Sequence, residues 1–430
     1  MLQNFTKDTT RAYQALQAFR IGASILLSIV LVKLAFTKSE IGNFEWFLFL
    51  TNAVSFFWSM GLLNAFKSYI PTKSKKEEAS LIANIALIFL GLGILAVTGL
   101  YFTDYGRELM NQGNWIYFCI FLIFGISASI TEHILIIKES SNNLFYYGLV
   151  SYATYLIGLS TIALWYHSIN SLFVFLAFWA FLRFIYGIII VSKYGGWTLD
   201  LSSALKFLVY SAPLVIHVLL GGGMEYVDGY LVDVYYSRDD FTVFRYGARE
   251  LPINTIFITA MVATMIPLAV SNLNLTLIDL KARLNKLMHW LFPGSIILVL
   301  TSPLIFQAVY NDGFLKSAFV FNIYLLILCS RLVLPQVVLY ARQKNSILMW
   351  VGLLELIVNI SLSLYLIQDY GILGIAFATV IAYIVQKIAL VQYCKRRLNV
   401  RLSEYLDTKT HMLYSAILYS VFVFSFYIYH

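Results

Sequence analysis

The stretch WIYFCIFLIFGISASITEHILII, residues 115–137, decides the fold class. Its 23 residues carry a single charged side chain, Glu132, beside His133, and the run is bounded by Asn114 and Lys138. As a helix it rises 1.5 Å per residue, about 34 Å, enough to cross a hydrocarbon core about 30 Å thick. The same pattern recurs on both sides of it. Apolar runs bounded by charges or turn residues give six spans at 12–35, 45–70, 81–103, 115–137, 144–165 and 171–191. Six more follow at 204–225, 243–270, 287–310, 315–340, 346–367 and 371–394. A last run, 412–429, is just long enough for a thirteenth span or for a helix lying against the bundle.

Composition agrees with this reading. Of 430 residues, 60% are apolar and 12% charged, the latter about half the share in a soluble domain. With a mean hydropathy of +0.78, nearly any compact fold in water would expose large apolar patches, which argues against a soluble enzyme. At roughly 20 residues per span plus a short loop, the chain has room for about 12 to 14 spans and no extramembrane domain. The expected fold is an all-α polytopic membrane protein with lobes at 1–200 and 201–400 and a C-terminal segment at 401–430. Cys119, Cys329 and Cys394 lie far apart in apolar runs without metal-ligand spacing and read as small fillers. The first apolar run passes signal-peptide length without a small-residue cleavage site, so it reads as a retained helix. No cofactor is expected.

The net charge of +8 reflects loop lysines and arginines rather than a nucleic-acid partner. With the N-terminus inside, eighteen of the 30 cations fall in inside segments, including Lys73, Lys75, Lys76, Lys281, Arg283 and the Lys395–Arg397 run. Only Lys38, Arg107, Arg238 and Lys316 fall outside. That asymmetry specifies an N-in, multi-pass protein of the plasma membrane. All loops are short and no GxxxxGK[ST] run is present, so the chain's own ATP hydrolysis cannot drive transport. An ion gradient or the substrate's own gradient must do so.

The informative residues are charges inside spans, each of which costs roughly 2.5–3.5 kcal/mol at the bilayer centre unless paired or hydrated. Lys33 and Lys67 lie near span ends, where a lysine stem can reach headgroup water. Arg20, Arg183 and Arg331 lie deep, and Lys387 some seven residues from the inner end of span twelve. The acids at comparable positions are Glu132, Glu225, Glu250 and Glu355, with Glu45 and Asp228 at an edge. The deep set leans positive, as expected of a wet cavity whose missing anion is the ligand; buried ion pairs are the alternative. Arg245 and Arg249, four apart, share a helix face near the acidic turn of Glu225, Asp228, Asp233, Asp239 and Asp240. They suit an external salt-bridge gate or a solvated interface. Pro213 with Gly221, Gly222 and Gly223 predicts a break in span seven, against a reading of close small-residue packing. Glu132, His133, His217 and Glu355 are titratable candidates for proton coupling. The many aromatics fit interfacial belts and could also stack on sugars.

The run FRYGARELP at 244–252, after a glycine-rich span seven, resembles the corresponding segment of bacterial polysaccharide-export flippases of the Wzx type. These belong to the multidrug/oligosaccharidyl-lipid/polysaccharide (MOP) exporter superfamily. RIGAS at 20–24 and a second span ending in YIP before a lysine-rich loop are similar too. The resemblance implies two six-helix lobes around a central cleft, with one extra C-terminal helix departing from that count. It also implies transfer of undecaprenyl-diphosphate-linked oligosaccharide repeat units from the cytoplasmic to the periplasmic leaflet. Expected partners are this lipid-linked oligosaccharide and membrane lipids, with glycosyltransferases or a polymerase of the same pathway as further candidates. Arg20, Arg183, Arg249, Arg331, Lys387 and Lys67 are the substrate-binding candidates, because guanidinium forks bind phosphate oxygens in pairs. Glu355, Glu132, Glu225 and Asp228 are the ion-coupling candidates. A drug or cation antiporter would want acids rather than bases in its cleft. A membrane-embedded glycosyltransferase or polymerase would need a sizeable loop to gather its catalytic groups, and none is present.

Overall fold

The computed structural model describes residues 9–70, 73–139, 141–196, 200–249 and 252–429. They form α-helices joined by short turns. Among the described residues, twelve helices are long and apolar enough to cross a membrane, the C-terminal one included. The chain divides into two compact units, residues 1–222 and 223–430.

The first unit holds α1 (Thr9–Lys33), α2 (Lys38–Tyr69), α3 (Lys75–Tyr101), the short α4 (Asp104–Asn111), α5 (Trp115–Lys138), α6 (Ser141–Tyr166), α7 (Ile169–Tyr194) and the first part of α8 (Leu201–Tyr235). A capping box starts α2: Thr37 Oγ1 accepts from the Glu40 amide at 3.2 Å, and Glu40 Oε2 accepts from the Thr37 amide at 2.9 Å. Helix α5 packs against α3 and α7, and α1 lies along α6. An aromatic column binds α2, α5 and α7, with Phe47 stacked on Phe173 at 4.4 Å and edge-on to Phe118 at 5.3 Å.

The second unit holds the rest of α8, then α9 (Arg238–Gly247), α10 (Pro252–Ser271), α11 (Leu273–Val309), α12 (Leu315–Leu325), α13 (Ile327–Arg331), α14 (Pro335–Ala341), α15 (Asn345–Tyr370), α16 (Ile372–Arg397), α17 (Leu402–Tyr405) and α18 (Thr408–Tyr429). Helices α15 and α16 form a tight antiparallel pair. Their turn rests on Gly371 at φ +60°, and the Tyr236 hydroxyl donates to the Ile367 carbonyl at 3.1 Å.

Span nine begins earlier than the sequence reading, at Leu273, and spans seven, eight and ten differ from it in where the helix breaks. Span seven does not break: α8 runs through Pro213 and the three glycines as one helix. In hydrocarbon an unwound segment would strand its peptide groups, and Gly222 serves packing instead. A Cβ at Gly222 would come 3.2 Å from the Phe56 ring, and one at Gly61 of α2 would fall 2.5 Å from Val215 Cα of α8. Span eight, expected as one run over 243–270, is two helices. Helix α9 ends at Gly247, where Ala248 leaves helical geometry, and Pro252 opens α10 at the position where a missing N–H costs least. Span ten likewise breaks, because Pro335 cannot donate back to Arg331 and begins a new helix. His411 of α18 hydrogen-bonds the Cys329 carbonyl at 2.8 Å beside that break. The last apolar run is thus a 22-residue helix docked on α11 and on this break.

Candidate functional site

Each unit gathers two of the deep cations around one buried carboxylate. In the first unit the carboxylate is Glu132 on α5, 2% exposed. Arg20 of α1 donates from Nη2 to Glu132 Oε1 and Oε2 at 2.8 and 2.6 Å, and from Nε to the Tyr152 hydroxyl at 2.5 Å. Arg183 of α7 donates from Nη2 to Glu132 Oε1 at 3.1 Å and to the Tyr147 hydroxyl at 3.0 Å. Its guanidinium also lies 4.6 Å from the Trp179 ring. Arg183 stands eleven residues before the end of α7, about 16 Å from that end along the axis. The cluster is therefore deep in the membrane. Two guanidiniums and one carboxylate leave a surplus positive charge, and the Arg20 side chain keeps 40% of its surface exposed.

The second unit brings Arg331 and Lys387 near another buried carboxylate, Glu355. Glu355 of α15, 4% exposed, accepts from Gln386 Nε2 and has Lys387 and Arg331 within Coulombic range. Arg331, at the end of α13 where span ten breaks, donates to the Tyr383 hydroxyl at 2.9 Å and lies 4.5 Å from that ring. Lys387 of α16 donates to Gln336 Oε1 at 3.3 Å. The break turns the chain between Arg331 and Gln336 so that both meet α16.

A different acid site lies beside it. Asp228 of α8, 1% exposed, faces hydrogen-bond donors rather than a cation among its described partners. Thr379 Oγ1 donates to Oδ2 at 2.6 Å, the Tyr324 hydroxyl to Oδ2 at 3.1 Å, and Asn359 Nδ2 to Oδ1 at 3.1 Å. The Asn359 Oδ1 atom and, one helical turn along α15, the Ser363 Oγ atom are buried without a hydrogen-bond partner. Three neutral donors offset only part of the cost of burying a carboxylate charge, and a proton or a small cation joining it would offset the rest.

The remaining candidates lie apart. Glu225 is exposed and sits 3.7 Å from Arg245. Arg249 falls just past the end of α9 with its guanidinium 5.2 Å from the Tyr246 ring, so the expected shared helix face of Arg245 and Arg249 is not formed. Lys67 is exposed near the end of α2. Glu250 and the side chain of His217 lie outside the described residues. His133 is buried and turned to the Ser129 carbonyl.

Sequence reasoning found the charges but not their hydroxyl partners, Tyr147, Tyr152, Tyr324, Tyr383 and Thr379. Nothing distinguishes those tyrosines among the chain's 30. One signal was available: Glu355, Asn359 and Ser363 recur every four residues, a polar stripe on an otherwise apolar helix.

A family model described as Lipid II flippase MurJ matches residues 242–429, most of the second unit. A comparison with curated protein sequences gives no match. Among solved structures, a lipid II flippase MurJ in an inward closed conformation aligns over 95% of this chain and 91% of its own, with TM-score 0.72 and 18% identity. A mutant of the Vibrio cholerae MATE transporter VcmN aligns over 92% of this chain and 99% of its own, with TM-score 0.57 and 13% identity. A MOP superfamily transporter from Pyrococcus furiosus aligns over 92% and 97%, with TM-score 0.57 and 12% identity. At these identities the likeness is one of fold. The chain has the all-α fold of MurJ and MATE transporters, as the sequence led us to expect, while the family model that matches is MurJ rather than a Wzx-type one.

Proposed function

We propose that this chain is a secondary transporter of the bacterial plasma membrane that flips a polyprenyl-diphosphate-linked glycan from the cytoplasmic to the periplasmic leaflet by alternating access. The observation that carries this reading is the first unit's cluster, in which Arg20 and Arg183 share the single buried carboxylate of Glu132. A structural ion pair would balance, whereas a surplus of guanidinium at membrane depth calls for an anion from outside the chain. A diphosphate is such an anion, and the planar fork of arginine suits its oxygens. In this reading Arg20, Arg183, Arg331 and Lys387 receive the diphosphate, and Glu132 and Glu355 hold the cations in place between cargoes. The same surplus disfavours a cationic drug as cargo. The match to the MurJ family model favours lipid II, and the resemblance of residues 244–252 favours an oligosaccharide repeat unit. Both would present the same headgroup to the same residues.

Asp228 is the coupling residue in this proposal. Its burial without a cation among its described partners, together with the unpartnered oxygens of Asn359 and Ser363, supports a site for a proton or a sodium ion. The lysine-rich loops support the N-in orientation.

The test is reconstitution of the full chain into liposomes carrying fluorescent lipid II or a fluorescent polyprenyl-diphosphate oligosaccharide in separate arms. Arg20→Ala and Arg331→Ala should abolish translocation of the accepted cargo at equal protein incorporation. Full translocation by both variants, or none of either lipid by the unmodified chain under any ion gradient, would sink the proposal.

A further inference from the structure

A cavity of about 760 Å³ opens along the seam between α6 and α7, wholly within the first unit. On α6 it extends from Asn143 to Gly158, fifteen residues or about 22 Å of helix, more than half the thickness of the hydrocarbon core. Its wall is aliphatic and aromatic. Val150, Ile157, Phe178 and Leu182 stand between 48% and 65% exposed, although the two helices bearing them are neighbours in sequence. One end is shut by a specific contact: a Cβ at Gly158 would lie 1.9 Å from the Phe175 ring, so a glycine there lets the ring close the seam. Among the described lining residues one is charged, Arg183. It is also a member of the Glu132 cluster, and through Glu132 it shares its counter-charge with Arg20.

The groove therefore joins a hydrocarbon-lined trough to a surplus positive charge. Depth decides which lipid fits. A resident phospholipid keeps its phosphate at the headgroup layer, whereas Arg183 lies about 16 Å inside its helix, near the middle of the core. A phosphate that meets Arg183 belongs to a lipid in transit. We propose that the α6/α7 groove is the tail site of the transporter: it holds the polyprenyl chain of a diphosphate lipid while the diphosphate engages Arg183. This rests on the flippase reading above and adds to it where the tail runs.

The test places the photoreactive residue p-benzoylphenylalanine at position 150 in the full chain, with position 116 on α5, also exposed, as control. Nanodiscs of phosphatidylethanolamine and phosphatidylglycerol containing undecaprenyl diphosphate are irradiated, and adducts are read by intact mass. We expect polyprenyl adducts at 150 well above those at 116. Thr154→Trp, which puts an indole in the trough, should lower adduct yield and translocation about tenfold, the effect of displacing roughly two buried methylenes. Val150→Trp serves the translocation assay as a second filler should Thr154→Trp fail to fold. Phospholipid adducts alone, or equal polyprenyl yields at 150 and 116, overturn the tail site. The two readings fail separately. Translocation that depends on Arg20 but ignores both tryptophans removes the groove and leaves the flippase, while a selective adduct at 150 without any translocation does the reverse.

Discussion

Arg20 and Glu132, 112 positions apart in sequence, meet through one guanidinium nitrogen that spans both carboxylate oxygens at 2.8 and 2.6 Å. Because Arg183 takes Oε1 of the same carboxylate, Glu132 is the common anchor of α1, α5 and α7. Its removal would leave two cations facing each other deep in the membrane, and the first prediction follows from that.

Glu132→Gln should destabilise the protein by about 3–5 kcal/mol, the usual effect of breaking a buried ion pair from one side. The double variant Glu132→Gln with Arg183→Met should recover part of the loss, because it removes one stranded charge along with its counter-ion. Thermal unfolding in detergent reads both. Equal stability of Glu132→Gln and the unmodified chain would show that the carboxylate is not the anchor.

Asp228→Asn keeps the shape of the buried carboxylate and much of its hydrogen bonding while removing its charge. Protein abundance should stay close to that of the unmodified chain, and transport in liposomes should lose its dependence on an imposed sodium or proton gradient. A variant that still responds to the gradient would place coupling elsewhere, with Glu355 the next residue to examine.

Gly61→Leu tests the packing of α2 on α8. A Cβ at Gly61 already falls 2.5 Å from a backbone atom of Val215, so the helices must separate. Overpacking of this kind costs typically about 1–3 kcal/mol, and a lower thermal midpoint should accompany it. Gly22, where a Cβ meets nothing within 4 Å, is the control, and Gly22→Ala should not lower the midpoint.

Glu139, at the end of α5 and outside the span, accepts hydrogen bonds from Lys193, Tyr194 and Asn143. These hold its carboxyl down to about 2, below the ordinary carboxylate range. A depressed carboxyl contributes stability at neutral pH and loses it as pH falls through that value. The gap in thermal midpoint between the unmodified chain and Glu139→Gln should therefore narrow from neutral pH down to about 2. A constant gap over that range would contradict the assignment.

How far the sequence reached can be judged from particular residues. Length of apolar run and position of flanking charge suffice to place a helix in a membrane, since every peptide group in hydrocarbon must bond within its own helix. Residues 115–137 are legible on that ground alone, whereas the terminal run stayed open between a span and a helix lying against the bundle. The prolines at 252 and 335 mark breaks that an apolar run conceals, because hydropathy is blind to a missing N–H. The glycine run of α8 misled in the opposite direction, as Gly222 shows. Its helix propensity is low in water, but in a packed membrane helix the value of a missing side chain is the room it gives Phe56.

By itself, then, the sequence determined that the chain is a helical membrane protein with more basic than acidic groups at depth, because burial in lipid constrains each segment locally. Which acid answers which base was decided only by the tertiary structure. Pairing of Arg20 with Glu132, of Arg183 with both Glu132 and Tyr147, and of Asp228 with hydroxyls rather than a cation depends on how helices far apart in sequence rotate toward one another. Electrostatic attraction at contact distance is set by that rotation, and no periodicity within a single helix records it.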